Sequence, residues 1–298
     1  MRPARLCIYY GWPSAVNGSG GSVSKASTQF LNCDVLVLGD GLEHPSHGDH
    51  QATASIIATM IGAGRQVFGY VDLGVSTQNL SIDTIKQYVD EWRAMGASGI
   101  FFDDAGYDYG VTRARQNAAV DYVHLYGMKV FMNAWVMDDV LSDFDQTGSY
   151  VPSRVGAGDW YLAESWLISG GKYQSLSDWA AKADRGLAYA RAKGVRIAAI
   201  STTGLMKALA TDSGSDKFKM AWWGAAMYGV GAWQWTDIGY SSGDNVLRSY
   251  NTSSKYGTSF VDAAVSHSFG GTTHTRRTNT GTITVRGDGS LSGTGSFR

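Results

Sequence analysis

A chain of 298 residues, 44% hydrophobic and 17% charged, can bury one large core and is too apolar to be disordered. Its length suits one α/β barrel, about 250 residues, plus an appendage. The formal net charge of −1 provides no basic field, so nucleic acid and anionic membrane surfaces are excluded as expected partners.

The chain opens Met-Arg-Pro-Ala-Arg-Leu-Cys-Ile-Tyr-Tyr, too short an apolar run for a signal peptide. No stretch reaches the roughly 18 apolar residues of a membrane span, so no membrane insertion is expected. From there to about residue 240, short apolar runs alternate with segments of helical period. Strands are expected at 5–11, 34–39, 66–73, 99–104, 129–135, 160–166, 195–201 and 231–236. Eight such runs separated by helices predict an α/β fold, a (β/α)8 TIM barrel over residues 1–240; an open doubly wound sheet more often stops at five or six.

Three helices stand out. Residues 81–96 place Ile82, Ile85, Val89 and Trp92 on one face, with Ser81 as N-cap and Gly96 as stop. Residues 112–126 run from Thr112 to Gly127, and residues 175–193 from a capping-box-like Ser175-Leu176-Ser177-Asp178 to Gly194. Residues 241–298 are rich in Gly, Ser and Thr, with alternating pieces such as Thr282-Ile283-Thr284-Val285. This reads as a C-terminal extension or linker with short strands, through which a larger assembly could form. Cys7 and Cys33 fall in or beside the first two strands, and two buried free thiols are favoured over a disulfide.

In a parallel barrel the loops after the strands gather on one face, and that face holds the chemistry. Acids recur there: Asp40 after strand 2, Asp72 in strand 3, Asp103 and Asp104 after strand 4, Glu164 in strand 6, Asp237 after strand 8. Asn133 closes strand 5. Trp12, Trp135, Trp166 and Trp233 join them, and the chain's ten Trp and sixteen Tyr exceed what a core alone needs, as sugar-binding clefts do. Polar groups crowded at one end of apolar strands cost burial energy, which suggests a site.

Gly99-Ile100-Phe101-Phe102-Asp103-Asp104 runs a buried strand into two adjacent carboxyls. Alternation predicts that one of them, Asp103 with the parity of Phe101, faces the cleft, while the other braces a loop. The bland reading is two loop-forming acids ahead of Gly106. Glu164 sits in the apolar run Asp-Trp-Tyr-Leu-Ala-Glu-Ser-Trp, where desolvation by neighbouring rings would favour a general acid; a structural Glu paired with a base is the alternative. Two carboxyls flanking a scissile bond are what glycoside hydrolysis needs.

Tyr9-Tyr10-Gly11-Trp12-Pro13, Gly69-Tyr70-Val71-Asp72-Leu73-Gly74, Gly99–Asp104, Phe131-Met132-Asn133-Ala134-Trp135 and Ala163-Glu164-Ser165-Trp166 together resemble the spherulin-4-like glycoside hydrolases, relatives of the endo-α-1,4-polygalactosaminidases. The resemblance spans roughly residues 5–240 and rests on motif order. It implies a (β/α)8 barrel acting on α-1,4-linked galactosamine or N-acetylgalactosamine polymers. The strand-4 acid would fall on Asp103, the strand-5 amide on Asn133 and the strand-6 acid on Glu164. Departures are Asp104, where several relatives carry Glu, and Asp72, where strand 3 is often polar or histidine-bearing; both bear on the sugar.

The resulting expectation has Glu164 as acid/base and Asp103 as nucleophile or cation stabiliser, with Asn133 orienting either the substrate or Asp103 through a hydrogen bond. Asp72 and Asp104 would recognise a cationic amino group if the substrate is deacetylated, and Asp40 is a further substrate-binding candidate. Trp12, Trp135, Trp166 and Trp233 would form stacking platforms for the sugar, and Tyr10 is a further substrate-binding candidate. The partner is a polysaccharide substrate, no cofactor is required, and the expected setting is extracellular or surface- or virion-associated, with a cytoplasmic one left open. The main alternative is a non-catalytic carbohydrate-binding barrel in a cell-surface or phage-tail assembly; a glycosidase of unrelated specificity is a third reading. Glu43-His44-Pro45-Ser46-His47-Gly48-Asp49-His50 is a weak metal candidate, because histidines in a Pro/Gly loop need not converge. A substrate-contacting loop, or capping of the next helix by Asp49, explains it better. No dinucleotide fingerprint or Gly-x-Ser-x-Gly elbow is present.

Overall fold

The computed structural model describes residues 2–204, 215–237, 240–253, 255–268, 270–287 and 291–297. Eight parallel strands close into a barrel: β1 (Ala4–Tyr9), β2 (Val35–Leu38), β3 (Gln66–Asp72), β4 (Gly99–Asp103), β5 (Lys129–Asn133), β6 (Trp160–Ala163), β7 (Arg196–Thr202) and β8 (Ala232–Thr236). Leu6 pairs with Val35 on one side of β1, and Ala4 with Ala232 of β8 closes the ring on the other. Each strand lies where an apolar run predicted it. The runs overshoot at β1, β5 and β6, because Tyr10, Trp135 and Trp166 continue the aromatic composition past the last ladder bond.

Outside the barrel lie α1 (Val23–Phe30), α2 (His50–Gly62), α3 (Ile82–Ala94), α4 (Arg113–Leu125), the single turn α5 (Asp138–Leu141), α6 (Leu176–Lys193) and α7 (Asp216–Tyr228). The expected caps form: the Ser81, Thr112 and Ser175 hydroxyls accept from the amides of Thr84, Arg115 and Asp178 at 3.0, 3.3 and 3.3 Å. Gly194 ends α6 at φ 71°, a conformation cheap only for glycine. On α3, Ile85, Val89 and Trp92 are buried, and the Trp92 indole donates to the Tyr70 carbonyl at 3.0 Å. Gly69 makes that approach possible, since a Cβ there would overlap the Trp92 ring.

Strand alternation builds two cores. Leu6, Ile8, Val35, Val37, Phe68, Phe101, Phe131, Trp160, Leu162, Ala198, Ile200 and Ala232 fill the barrel. The intervening residues, such as Cys7, Leu36, Val71, Phe102, Met132 and Tyr161, pack under the helices. Inside, the bulky rings of β3 to β6 face the alanines of β7 and β8, so large side chains on one wall are offset by small ones on the other.

Cys7 and Cys33 form a disulfide with Cα atoms 5.9 Å apart, which corrects the expectation of free thiols. Cys7 points out of the barrel, and Cys33 ends the α1–β2 connection beside it, because β1 and β2 are neighbours in the sheet. Replacing both cysteines by serine is expected to lower the unfolding free energy by about 2–4 kcal/mol, read from urea denaturation without reductant. An unchanged midpoint would show that the bond does not constrain the unfolded chain.

The C-terminal segment folds into an antiparallel sheet of β9 (Ser266–His267), β10 (Thr273–Thr278), β11 (Gly281–Arg286) and β12 (Ser292–Phe297). Ile283 and Val285 are buried, with Thr282 and Thr284 on the opposite face. The sheet lies against α7: Phe297 stacks on Trp223 with ring centres 5.5 Å apart, and the Arg276 guanidinium donates to the Met227 carbonyl at 2.9 Å. Among the described residues no helix is long and apolar enough to cross a membrane.

Candidate active site

A cleft of about 340 Å³ opens at the C-terminal ends of the strands. Its floor is the top layer of the barrel core, Ile8, Phe101, Leu162 and Ile200, and its polar wall carries Asp103, Asp104, Asn133 and Glu164. The parity of each strand explains three of these. Phe101 and Asp103, Phe131 and Asn133, Leu162 and Glu164 are each two residues apart, so the polar member follows its apolar partner onto the inner face.

One side-chain amide ties the wall together. The Asn133 Nδ2 donates to Asp103 Oδ1 at 2.7 Å and to Glu164 Oε1 at 3.0 Å. Two bonds leaving one nitrogen hold those oxygens no more than about 5.7 Å apart, short of the ~6.5–9.5 Å that separates the carboxyls of inverting glycosidases. With both amide hydrogens engaged, the Asn133 carbonyl is left to accept from a ligand.

Asp104 also lines the cleft, where alternation expected only one of the pair. The chain leaves β4 at this residue in a left-handed conformation, φ 50°, and alternation ends where the strand ends. Ser165 and Leu167 after β6 share that conformation at φ 55° and 60°, so the backbone is strained directly behind both acidic strand ends.

Desolvation raises the Asp103 carboxyl from its usual 3.8 to about 7, and the neighbouring Asp104 charge adds to this against the opposing bond from Asn133. Burial and Asp72 raise Asp104 to about 6, although the Tyr109 hydroxyl bonds to it. Among the described residues no lysine, arginine or histidine forms an ion pair with Asp72, Asp103, Asp104 or Glu164. The cleft is therefore an acidic pocket short of cations. Burial and these acids also push the phenols of Tyr10 and Tyr70 well up, so both remain protonated donors, and Tyr70 bonds to Asp103.

Of the other sequence-predicted residues, Tyr10 and Trp135 line the cleft, and the Trp135 ring is 57% exposed. Asp72 is 3% exposed, accepts from the Thr77 hydroxyl at 2.7 Å and is not part of the cleft lining, so it acts on Asp104 from behind. Asp40 accepts from the Gln78 amide at 2.8 Å outside the cleft, and Trp12 is exposed beside His47, also outside it. Trp166 and Trp233 are corrected: each is 1% exposed and packs outside the barrel, Trp166 against Trp179 and Trp233 against Phe218. Both faces of a barrel strand are apolar, so composition does not say which tryptophans face in. Asp237 is taken by Arg248 at 2.7 Å.

The histidine loop does not converge. His44 Nδ1 meets Glu91 at 2.7 Å, His47 Nδ1 accepts from the Asp49 amide at 3.1 Å, and His50 Nδ1 reaches the Leu42 carbonyl at 3.0 Å. Asp49 sits at the N-cap of α2 but spends its carboxylate on the Ser14 amide at 2.9 Å, not on the helix. Tyr109 and Tyr240 line the cleft, and Lys182 lies against Trp135 beside it; sequence reasoning missed all three, since they lie in loops or on a helix face with no strand-end signal.

No protein-family model and no curated protein matches the chain. Among solved structures, the glycoside hydrolase domain of PelA from Pseudomonas aeruginosa is similar at 14% identity with a TM-score of 0.51, covering 79% of this chain and 95% of that one. Eubacterium rectale Amy13B aligns at 10% identity and TM-score 0.55, covering 95% and 86%. The α-amylase from Geobacillus thermoleovorans aligns at 8% and 0.51, covering 96% and 87%. At such identities the likeness shows the (β/α)8 barrel fold alone.

Proposed function

We propose that this protein is a glycoside hydrolase that cleaves an α-1,4-linked galactosamine or N-acetylgalactosamine polymer within the chain, with retention at the anomeric carbon. The observation that carries it is the Asn133 amide shared by Asp103 and Glu164, which draws the two carboxyls together, and an approach closer than an inverting pair keeps supports the double-displacement reading. Asp103 accepts from the Asn133 amide at 2.7 Å, which orients its carboxylate for attack on the anomeric carbon. Glu164 accepts from Asn133 through Oε1, which leaves Oε2 to carry the proton given to the departing oxygen. In the second step Glu164 takes a proton from water, whose oxygen attacks the anomeric carbon and releases Asp103.

The amino sugar follows from charge. A cluster of carboxyls without a paired cation stabilises a protonated amino group and disfavours an anionic ring. The neighbouring PelA domain, itself a glycoside hydrolase, lends the fold as an analogy, and the order of the strand-end motifs resembles the spherulin-4-like hydrolases. A secreted or surface setting is supported by the Cys7–Cys33 disulfide, since such bonds persist in oxidising compartments. A binding-only barrel has no use for a carboxyl pair at this spacing, so the catalytic reading is preferred.

Proton NMR on a synthetic α-1,4-galactosamine oligomer tests the stereochemistry. The first product signal is expected to be the α-anomer, ahead of mutarotation. A first β-signal would place a water between the carboxyls and end the double-displacement reading. No new reducing ends on any amino-sugar polymer would end the glycosidase reading itself.

A further inference from the structure

Beside the acidic cleft the surface changes character. The exposed Trp135 ring forms a ridge shared by the cleft and by two further hollows of about 340 and 350 Å³. Lys182 lies on both hollows, with its ammonium 4.7 Å from the centre of the Trp135 ring and 3.2 Å from the Glu164 carbonyl. Among the described residues it forms no ion pair. The first hollow also carries Gln174, Ser175 and the exposed Asp178, so one acid and one base share it. In the second, Asp138 is taken by Arg185 at 2.8 Å. Four carboxyls crowd the cleft and the space behind it, whereas across the ridge the first hollow balances one acid with one base and the second has an excess of one positive charge.

We propose that the Trp135–Lys182 rim is a subsite for a neutral N-acetylated sugar, so that the enzyme cuts at junctions between an acetylated residue and a free-amine one. This rests on the glycosidase reading above. The apolar face of a pyranose packs on the open side of Trp135. The Lys182 ammonium donates to an acetamide carbonyl and repels a protonated amine, while Asp103 and Asp104 across the ridge favour that amine. The ridge thus separates two opposite preferences within one substrate chain. Lys182 is the specificity-determining residue, and it touches the sugar beside the scissile bond and not the reacting atoms.

The test uses the full chain and a partly acetylated α-1,4-galactosamine polymer, digested in ¹⁸O-water so that each new reducing end is labelled, with both product ends sequenced by mass spectrometry. The expected result is asymmetry: one new end is enriched in N-acetylgalactosamine and the other in galactosamine. Lys182→Glu should reverse the preference on the acetylated side by about tenfold or more and improve cleavage of fully deacetylated chains, because the rim becomes acidic. Lys182→Gln, which keeps a donor without the charge, should fall between, and guards against a misfolded glutamate variant. Equal acetylation at both ends, or an end pattern unmoved by both substitutions, overturns the proposal while leaving the glycosidase reading intact. Absence of turnover by the wild-type chain overturns both.

Discussion

Glu164→Gln is expected to lower kcat on an α-1,4-galactosamine polymer by about 10²–10⁴-fold while the protein stays folded. Gln keeps an oxygen in place to accept from Asn133, so the bridge to Asp103 survives and only the transferable proton is lost. The loss should depend on the leaving group. The acidic phenol of an aryl glycoside departs without protonation, so the first step should be nearly restored on it, and deglycosylation becomes limiting. Added azide, which needs no general base, should then accelerate turnover and give a glycosyl azide of retained configuration. Wild-type rates on the polymer would remove Glu164 from the mechanism. A loss of the same size on every leaving group would mean that it binds and does not donate a proton.

The second large effect concerns pH. Asp103 must be ionised to attack, yet burial and Asp104 hold its pKa near 7 in the free protein. Below that value kcat/KM should therefore fall about tenfold per pH unit. A cationic amino group brought into the cleft favours both carboxylates, so the limb in kcat should lie at lower pH than the limb in kcat/KM. Binding to the free-amine oligomer should release protons between about pH 6 and 7, which calorimetry in buffers of different ionisation enthalpy reads directly. A flat kcat/KM from pH 5 to 7 would contradict the assignment of Asp103 as nucleophile.

The same shift has a cost in stability. A carboxyl raised from 3.8 to about 7 binds more protons folded than unfolded between those values, so stability falls as pH rises through that window. Asp103→Asn removes the ionisation and keeps an oxygen for Tyr70 and Asn133. It should stabilise the protein at pH 8 by on the order of 1–3 kcal/mol, have little effect near pH 4, and abolish turnover. A variant less stable than wild type at pH 8 would show that Asp103 holds the fold together as an anion.

Much of the geometry was written in local patterns. Helices α3, α4 and α6 follow from apolar spacing and from Ser81, Thr112, Ser175 and Gly194, because caps and helical faces depend on residues within a few positions of one another. The eight apolar runs imposed a barrel, and strict alternation carried Asp103, Asn133 and Glu164 inward once Phe101, Phe131 and Leu162 were taken as core. The tertiary structure alone decided the rest, since it depends on where strands end and on which neighbour lies across a gap. Asp104 turns into the cleft through a left-handed residue that no periodicity announces. Trp166 and Trp233 face the helices, while Trp135 stands in solvent, although all three look alike in a strand buried on both sides. Cys7 meets Cys33 because β1 and β2 are neighbours, and Lys182 of α6, eighteen residues after Glu164, reaches the Glu164 carbonyl and the Trp135 ring because closing the barrel stacks that helix beside them. Periodicity fixes the direction of a side chain within its element; only the closure of the sheet determines what it meets.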